Sequence, residues 1–403
     1  MFNFHIIKTK TSAAMPSYPQ RVYLLVLLLD LLALAANQLA IHSSTFADAY
    51  SHYVYRGLSL GIGSVMGLLP FSVVELLLYA TILFVLFDFV KQLRRAIRAG
   101  IARPLLHFLG HLFFILSSLL VLYVFLCGIN YHRTSFSEEA GLSVTIDAHG
   151  TVYDEADLIA LCDYLVTEIN DTEAQLDVPC IGQTSETPKP SAAWLWHAGR
   201  TGQRAMEKLG QRYHRLSGHY PYPKPILNTW ILSVQQTTGV YSPFTVEANY
   251  NRDIAYYDIP FTICHELSHL RGYMQEEEAN FIGVLATIGA DDLYFNYSGY
   301  VSAWVYAGNA LARIDSTAFA TLYARINART RQDMLYNNAY WQQFEGKPAE
   351  AHEQLNDAYL KMQGQTSGVR SYGHVTDLML EYFAENGTLT QCNSSAVARR
   401  TAD

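Results

Sequence analysis

Three apolar runs occupy most of the first 130 residues, at 22–41, 71–90 and 105–127. Each is long enough to cross a bilayer, which takes about 20 residues of helix. Runs of this kind dictate the local fold. In hydrocarbon every backbone N–H and C=O must be bonded within its own segment, so each run is a helix. A shorter stretch with glycines, 58–69, reads as an interfacial or re-entrant piece. Half of the 403 residues are hydrophobic and 16% are charged, and the apolar excess lies in this N-terminal third. The chain therefore divides into a membrane anchor, 1–130, and a globular part, 131–403, long enough to bury a core.

Basic residues orient the anchor. Lys8, Lys10 and Arg21 precede the first run, and Lys91, Arg94, Arg95, Arg98 and Arg103 fill the loop between the second and third. The loop between the first and second has only Arg56. The positive-inside rule places the N-terminus and the second loop in the cytoplasm of a multi-pass cell-membrane protein, with the C-terminal part outside. Small residues at 33–36 leave open that the first run is a cleaved signal peptide; the C-terminal part stays outside either way. Asp30 and Glu75 fall within apolar runs, where a bond to a neighbouring helix is the simplest role for each.

The outer part carries a formal net charge that contributes to −8 for the chain, and no long basic stretch, which excludes a nucleic-acid interface. Five cysteines are scattered without CxxC spacing; Cys162 and Cys180 either pair in an oxidising space or remain separate thiols. The pattern predicts a strand within 142–152, helices over 154–169 and 194–216, a strand over 226–234, and extended chain over 239–251. From Pro260 to Phe383 it is helical, with breaks at Gly272, Gly289, Gly299, Gly346 and 364–368. The expected fold class is thus three N-terminal transmembrane helices plus a mostly α (α+β) domain with a small sheet.

The chemistry centres on His265-Glu266-Leu267-Ser268-His269, an HExxH motif. Pro260 suits the first turn of its helix, and Gly272 ends it. Residues four apart share a helix face, so both imidazoles can bind one zinc ion. Glu266, adjacent but not a ligand, is placed to take a proton from zinc-bound water. A catalytic zinc needs a third protein ligand and an open position. The turn at Gly272 brings Glu276 back toward the metal as that ligand, with Asn280 one turn further on the same face to orient the site. The acidic run Glu276-Glu277-Glu278 also suits a helix N-terminus.

Several segments resemble a bacterial membrane family catalogued as domain-of-unknown-function family 3810. They are 259–262 and 271–272 around the motif, 276–281, Tyr241-Ser242-Pro243-Phe244-Thr245 with 247–249, 297–300, Asn356-Asp357 with 359–361, and Ser371-Tyr372-Gly373 with Asp377. The similarity extends over nearly the whole chain, all three spans included. The ligand region is also similar to gluzincin peptidases, which use HExxH with a glutamate in an ExxxD or ExxxN setting; Glu276 and Asn280 match that setting. The spacing is shorter than in gluzincins, and the third histidine of metzincins is replaced by Gln275. The resemblance implies a zincin-like metallopeptidase domain whose substrates are peptides or proteins. In zincins an edge strand before the zinc helix pairs with the substrate, a place taken here by 238–251, and Tyr372 and His374 are candidates to stabilise the oxyanion. The alternatives are a zincin-like membrane sensor and a non-catalytic zinc-binding domain. Cytoplasmic segments of about 20 and about 15 residues are small for signalling, and an intact Glu266 favours catalysis. The motif is remote from every span along the chain, which argues against cleavage inside the bilayer.

Overall fold

The computed structural model describes residues 20–142, 146–147, 150–151, 153–176, 190–363 and 372–390. The first apolar run is α1 (Gln20–His42). The connection after it folds as α2 (Ser44–Tyr50), a π-helical turn Ser51–Tyr55 and α3 (Arg56–Met66), which exposes Leu60, Val65 and Leu68. The second and third runs are α4 (Val73–Ala99) and α5 (Arg103–Leu126). Among the described residues three helices, α1, α4 and α5, are thus long and apolar enough to cross a membrane. Ser72 caps α4 by accepting from the Glu75 N–H, and the left-handed Gly100 ends it. The helix therefore outruns its apolar run of 71–90 and carries Lys91 to Arg98 as a final, polar stretch.

Asp30 behaves as a helix–helix contact: Ser117 of α5 donates to its carboxylate at 2.8 Å. Glu75 does not. It lies in the first turn of α4 and accepts the backbone N–H groups of Leu227 (2.8 Å) and Asn228 (2.9 Å) from the C-terminal domain. Asp88 on α4 and His111 on α5 form a further polar pair at 2.7 Å.

The C-terminal domain begins with α6 (Phe136–Glu139) and a two-residue pair, β1 (Ile146–Asp147) with β2 (Gly150–Thr151), which is all of the 142–152 strand that falls among the described residues. Then come α7 (Glu155–Gln175), α8 (Ala192–Arg212), β3 (Lys224–Pro225), α9 (Trp230–Ser233), β4 (Gly239–Ser242) and β5 (Glu247–Tyr250). Seven helices follow: α10 (Asp258–His269), α11 (Glu276–Ile288), α12 (Leu293–Ile314), α13 (Ser316–Arg325), α14 (Ala328–Gln342), α15 (Lys347–Met362) and α16 (Tyr372–Asn386). The strand expected over 226–234 is absent: the sheet keeps only Lys224–Pro225, and 230–233 is a helical turn. The N–H groups of Leu227 and Asn228 go to Glu75 and are lost to a ladder. The sheet has three strands in the order β3-β5-β4, with β3 parallel and β4 antiparallel to β5. Its edge is β4.

Gly299 does not break the chain; it sits inside α12. A Cβ there would lie 2.5 Å from Thr287 Oγ1 and 2.8 Å from Ile288 Cγ1, so the glycine lets α12 pack directly on α11. Gly289 does end α11. The core joins α7, α8, α10, α11, α12 and α16 through residues such as Leu161, Met206, Ile263, Phe281 and Val301, none measurably exposed. Cys162 is buried in the same core, while Cys180 lies outside the described residues.

The three apolar helices and the C-terminal domain share buried contacts. Glu247 of β5 accepts the N–H groups of Val73 (3.1 Å) and Val74 (2.9 Å), capping α4 as Glu75 of α4 caps the 227–228 loop. Lys224, 1% exposed, pairs with Glu247 and donates to the Met66 carbonyl at 2.7 Å. A second apolar cluster runs from Ala33, Tyr55, Val124 and Cys127 of the anchor to Met274, two residues after the turn that ends α10.

Candidate metal centre

Helix α10 buries Ile259, Ile263, Cys264 and Leu267 in the core and turns His265 and His269 toward a cleft. It stops because Gly272 takes φ +85°. A side chain there is excluded by conformation and by Tyr55, Arg133 and Asn130, each within 3.4 Å of where a Cβ would sit. Tyr55 donates to the Leu270 carbonyl (3.2 Å), and Arg133 donates to that of Arg271 (3.0 Å). The turn is therefore held by residues at the membrane end of the molecule. It reverses the chain so that α11 starts at Glu276 beside α10.

The Nε2 atoms of His265 and His269 face each other at 3.1 Å. Glu276 Oε2 lies 3.3 Å from His265 Nε2, and its Oε1 lies 3.7 Å from His269 Nε2. These three residues are the one group of its kind among the described residues whose ligand atoms all lie within 4.8 Å. A tetrahedral zinc with bonds of about 2.0–2.1 Å has ligand–ligand edges of about 3.3 Å. The observed 3.1, 3.3 and 3.7 Å separations are of that order, the two carboxylate distances being measured from different oxygens of Glu276. His269 Nδ1 donates to the Tyr273 carbonyl at 2.7 Å, which leaves its Nε2 lone pair facing the centre. His265 Nδ1 is buried with no hydrogen-bond partner, and Asn280 stands beside its ring. The donor set fits a divalent metal.

The charges agree. Burial works against protonation of His265, but the Glu276 carboxylate bonded to it outweighs burial and raises its pKa. Burial, with the His265 charge adding to it, lowers His269 to about 4. Glu276 is held at about 2, because the His265 bond and the charge of both imidazoles overcome the cost of burial. Two imidazoles and a carboxylate that attract one another in this way are also the groups a divalent metal would bind in their deprotonated forms.

Glu266 is 4% exposed, and its Oε2 has no partner. Burial raises its carboxyl to about 8, with the Glu276 charge adding and His265 opposing. Gly239, the first residue of β4, packs on it: a Cβ at 239 would come within 2.5 Å of Glu266 Oε1, 2.7 Å of Thr262 Cγ2 and 2.8 Å of Glu266 Cγ. The centre opens into a cavity of about 1120 Å³. Its walls are β4, the faces of α10 and α12, one side of α15, and Tyr123, Cys127 and Tyr131 at and just after the C-terminal end of α5. Separation along the chain is therefore not separation in space. The motif is remote from every span in sequence, yet its cleft is floored by the end of the third.

A family model described as "Protein of unknown function (DUF3810)" matches residues 50–380. The chain belongs to this family. The DUF3810 match takes in α3 to α5 and the whole of α10 and α11, and leaves α1 outside, so the likeness covers two of the three spans. No curated protein and no solved structure shows a significant match.

Within the DUF3810 region, the residues expected at the site divide. His265, Glu266, His269, Glu276 and Asn280 line one cavity. Glu277 and Glu278 lie in the first turn of α11, as acidic residues at a helix N-terminus do, and Glu278 turns away to accept from the Ser137 N–H (3.0 Å) and hydroxyl (2.6 Å). His374 is not in the cavity wall. It lies in the first turn of α16, 4.0 Å from Asp377 and close enough to Glu277 for their charges to interact. The Tyr372 side chain lies outside the described residues. The phenol and imidazole the cavity does contain include Tyr306 on α12 and His352 on α15, which the sequence did not single out. Tyr359, without an assignable role in the sequence, accepts from the Tyr123 hydroxyl and donates to that of Tyr131, both at 3.0 Å, and ties α15 to the end of α5.

Proposed function

We propose that this protein is a membrane-anchored, zinc-dependent peptidase of zincin type, with its catalytic domain on the extracytoplasmic side. The observation that carries the reading is the convergence of His265 Nε2, His269 Nε2 and a Glu276 carboxylate at 3.1–3.7 Å beside an unpartnered, buried Glu266. His265, His269 and Glu276 hold the metal, and Asn280 orients His265. A zinc ion so held supplies a water of pKa near 7 and polarises the scissile carbonyl. Glu266 takes the proton from the attacking water and returns it to the leaving amine.

Substrate backbone has a place to bind. The Asn251 N–H donates to Thr238 O, and Thr238, Val240 and Ser242 turn their backbone groups toward β5. By the alternation of an antiparallel ladder, Gly239 and Tyr241 turn theirs to the free edge, over the cavity. An extended peptide adds to such an edge as a further strand, which sets its carbonyls in register over the metal. A purely structural zinc site has no use for Glu266 or for an open fourth corner.

The test is the full chain purified in detergent. Zinc is measured, then hydrolysis of a peptide library by wild type and Glu266→Gln is compared. The reading predicts one zinc in both and hydrolysis by the wild type alone. Equal hydrolysis by both ends it. Protease treatment of sealed cells tests the orientation: digestion of the outer domain from outside supports it, and protection contradicts it.

A further inference from the structure

The walls of the cavity are unequal in charge. Among the described residues six carboxylates line it, from Asp258, Glu266, Glu276, Glu345, Glu350 and Glu353, and neither lysine nor arginine does. Glu266 and Glu276 belong to the candidate metal centre, and Asp258, raised to about 7 by burial, is the first residue of α10. The other three stand on or just before α15. On that helix Ala349, His352, Glu353, Asn356 and Tyr359 recur every three or four residues, so one face of the helix forms the wall. Glu345, Glu350 and Glu353 are exposed, and none has an ion-pair partner among the described residues. Across the cavity stands the unpaired edge of β4 with Gly239 and Tyr241. An extended chain on that edge runs between hydrogen-bonding backbone on one side and unneutralised carboxylates on the other. In a cleft of low-dielectric walls such charges reinforce one another and select a ligand of opposite sign.

We propose that the substrate is a cationic polypeptide segment, with lysine or arginine near the scissile bond placed against Glu350 and Glu353 of α15. This rests on the peptidase reading above and adds its substrate class. The floor of Tyr123, Cys127 and Tyr131 places that segment at the outer end of a span, where a chain leaving the membrane presents its extended residues.

The experiment digests a proteome-derived peptide library with the full-length, zinc-loaded protein and maps the cleaved bonds by mass spectrometry. Lys and Arg are expected to be enriched several-fold within four residues of the cleaved bond, with Asp and Glu depleted. Glu350→Gln/Glu353→Gln then lowers the ratio of kcat/KM on a lysine-bearing peptide to that on its neutral counterpart about three- to tenfold, through KM, and weakens the salt dependence of binding. Cleavage without basic enrichment, or a ratio the double variant leaves unchanged, overturns the proposal while the peptidase reading stands. No cleavage of any peptide by zinc-loaded protein overturns both.

Discussion

Gly239→Ala probes the geometry around the general base without touching a metal ligand. The added Cβ would meet Glu266 Oε1 at 2.5 Å, Thr262 Cγ2 at 2.7 Å and Glu266 Cγ at 2.8 Å. The carboxylate tip could swing aside alone, but Cγ cannot move without a new rotamer. Thr262 is β-branched on a buried helix and holds its rotamer. The variant therefore displaces Glu266 as a unit. Overpacking of this kind costs about 1–3 kcal/mol of stability. The loss of a positioned general base costs about 10²–10⁴ in kcat. His265, His269 and Glu276 keep their places, so zinc content should stay at the wild-type level. The assay is kcat/KM on a cleaved peptide together with zinc content and thermal unfolding. Near wild-type kcat in a folded, zinc-replete Gly239→Ala protein would refute the placement of Glu266 as base. Loss of zinc together with activity would refute the separation of β4 from the metal ligands.

Three further outcomes follow from the same coordinates. Glu276→Ala removes the third ligand and should abolish stoichiometric zinc, whereas Asn280→Ala should weaken zinc binding by about 10–100-fold; competition with a chelator measures both. Glu247→Gln leaves Lys224 buried without its charge partner and uncaps α4, and should destabilise the protein by about 3–5 kcal/mol in thermal or denaturant unfolding in detergent. Burial raises Asp258 from 3.8 to about 7, so its contribution to stability is present below about pH 3.8 and lost as pH rises through 7. Asp258→Asn should therefore gain stability relative to wild type at pH 8 compared with pH 4, and an equal difference at both pH values would contradict the shift.

The local parts of this structure were readable in the sequence because they depend on short-range rules. The three apolar runs name their helices, although 71–90 understated α4, since hydropathy measures hydrocarbon and not the polar turns beyond it. Pro260, the i,i+4 histidines and Gly272 specify α10 and its reversal, and the reversal brings in Glu276. What was not readable is what the chain assembles from afar. The carboxylate of Glu75, expected in a helix contact, ends the strand at Pro225 from 150 residues away. Gly299 reads as a breaker, since only the partner helix shows that it is a contact. The cavity joins α5, β4, α12 and α15, and no spacing in the sequence links Tyr123 to His265 or Tyr359 to Tyr131. Tyr372 and His374 were candidates by analogy with zincins, and an analogy of residue type does not place a side chain: His374 does not line the cavity.

X-ray absorption at the zinc edge of the purified full-length protein addresses the metal centre itself. Two imidazole nitrogens and a carboxylate oxygen, with a fourth light ligand, should give a shell of nitrogen and oxygen at about 2.0–2.1 Å that loses amplitude in Glu276→Ala. A sulfur shell near 2.3 Å, or a shell unaltered by that substitution, would contradict the centre described here.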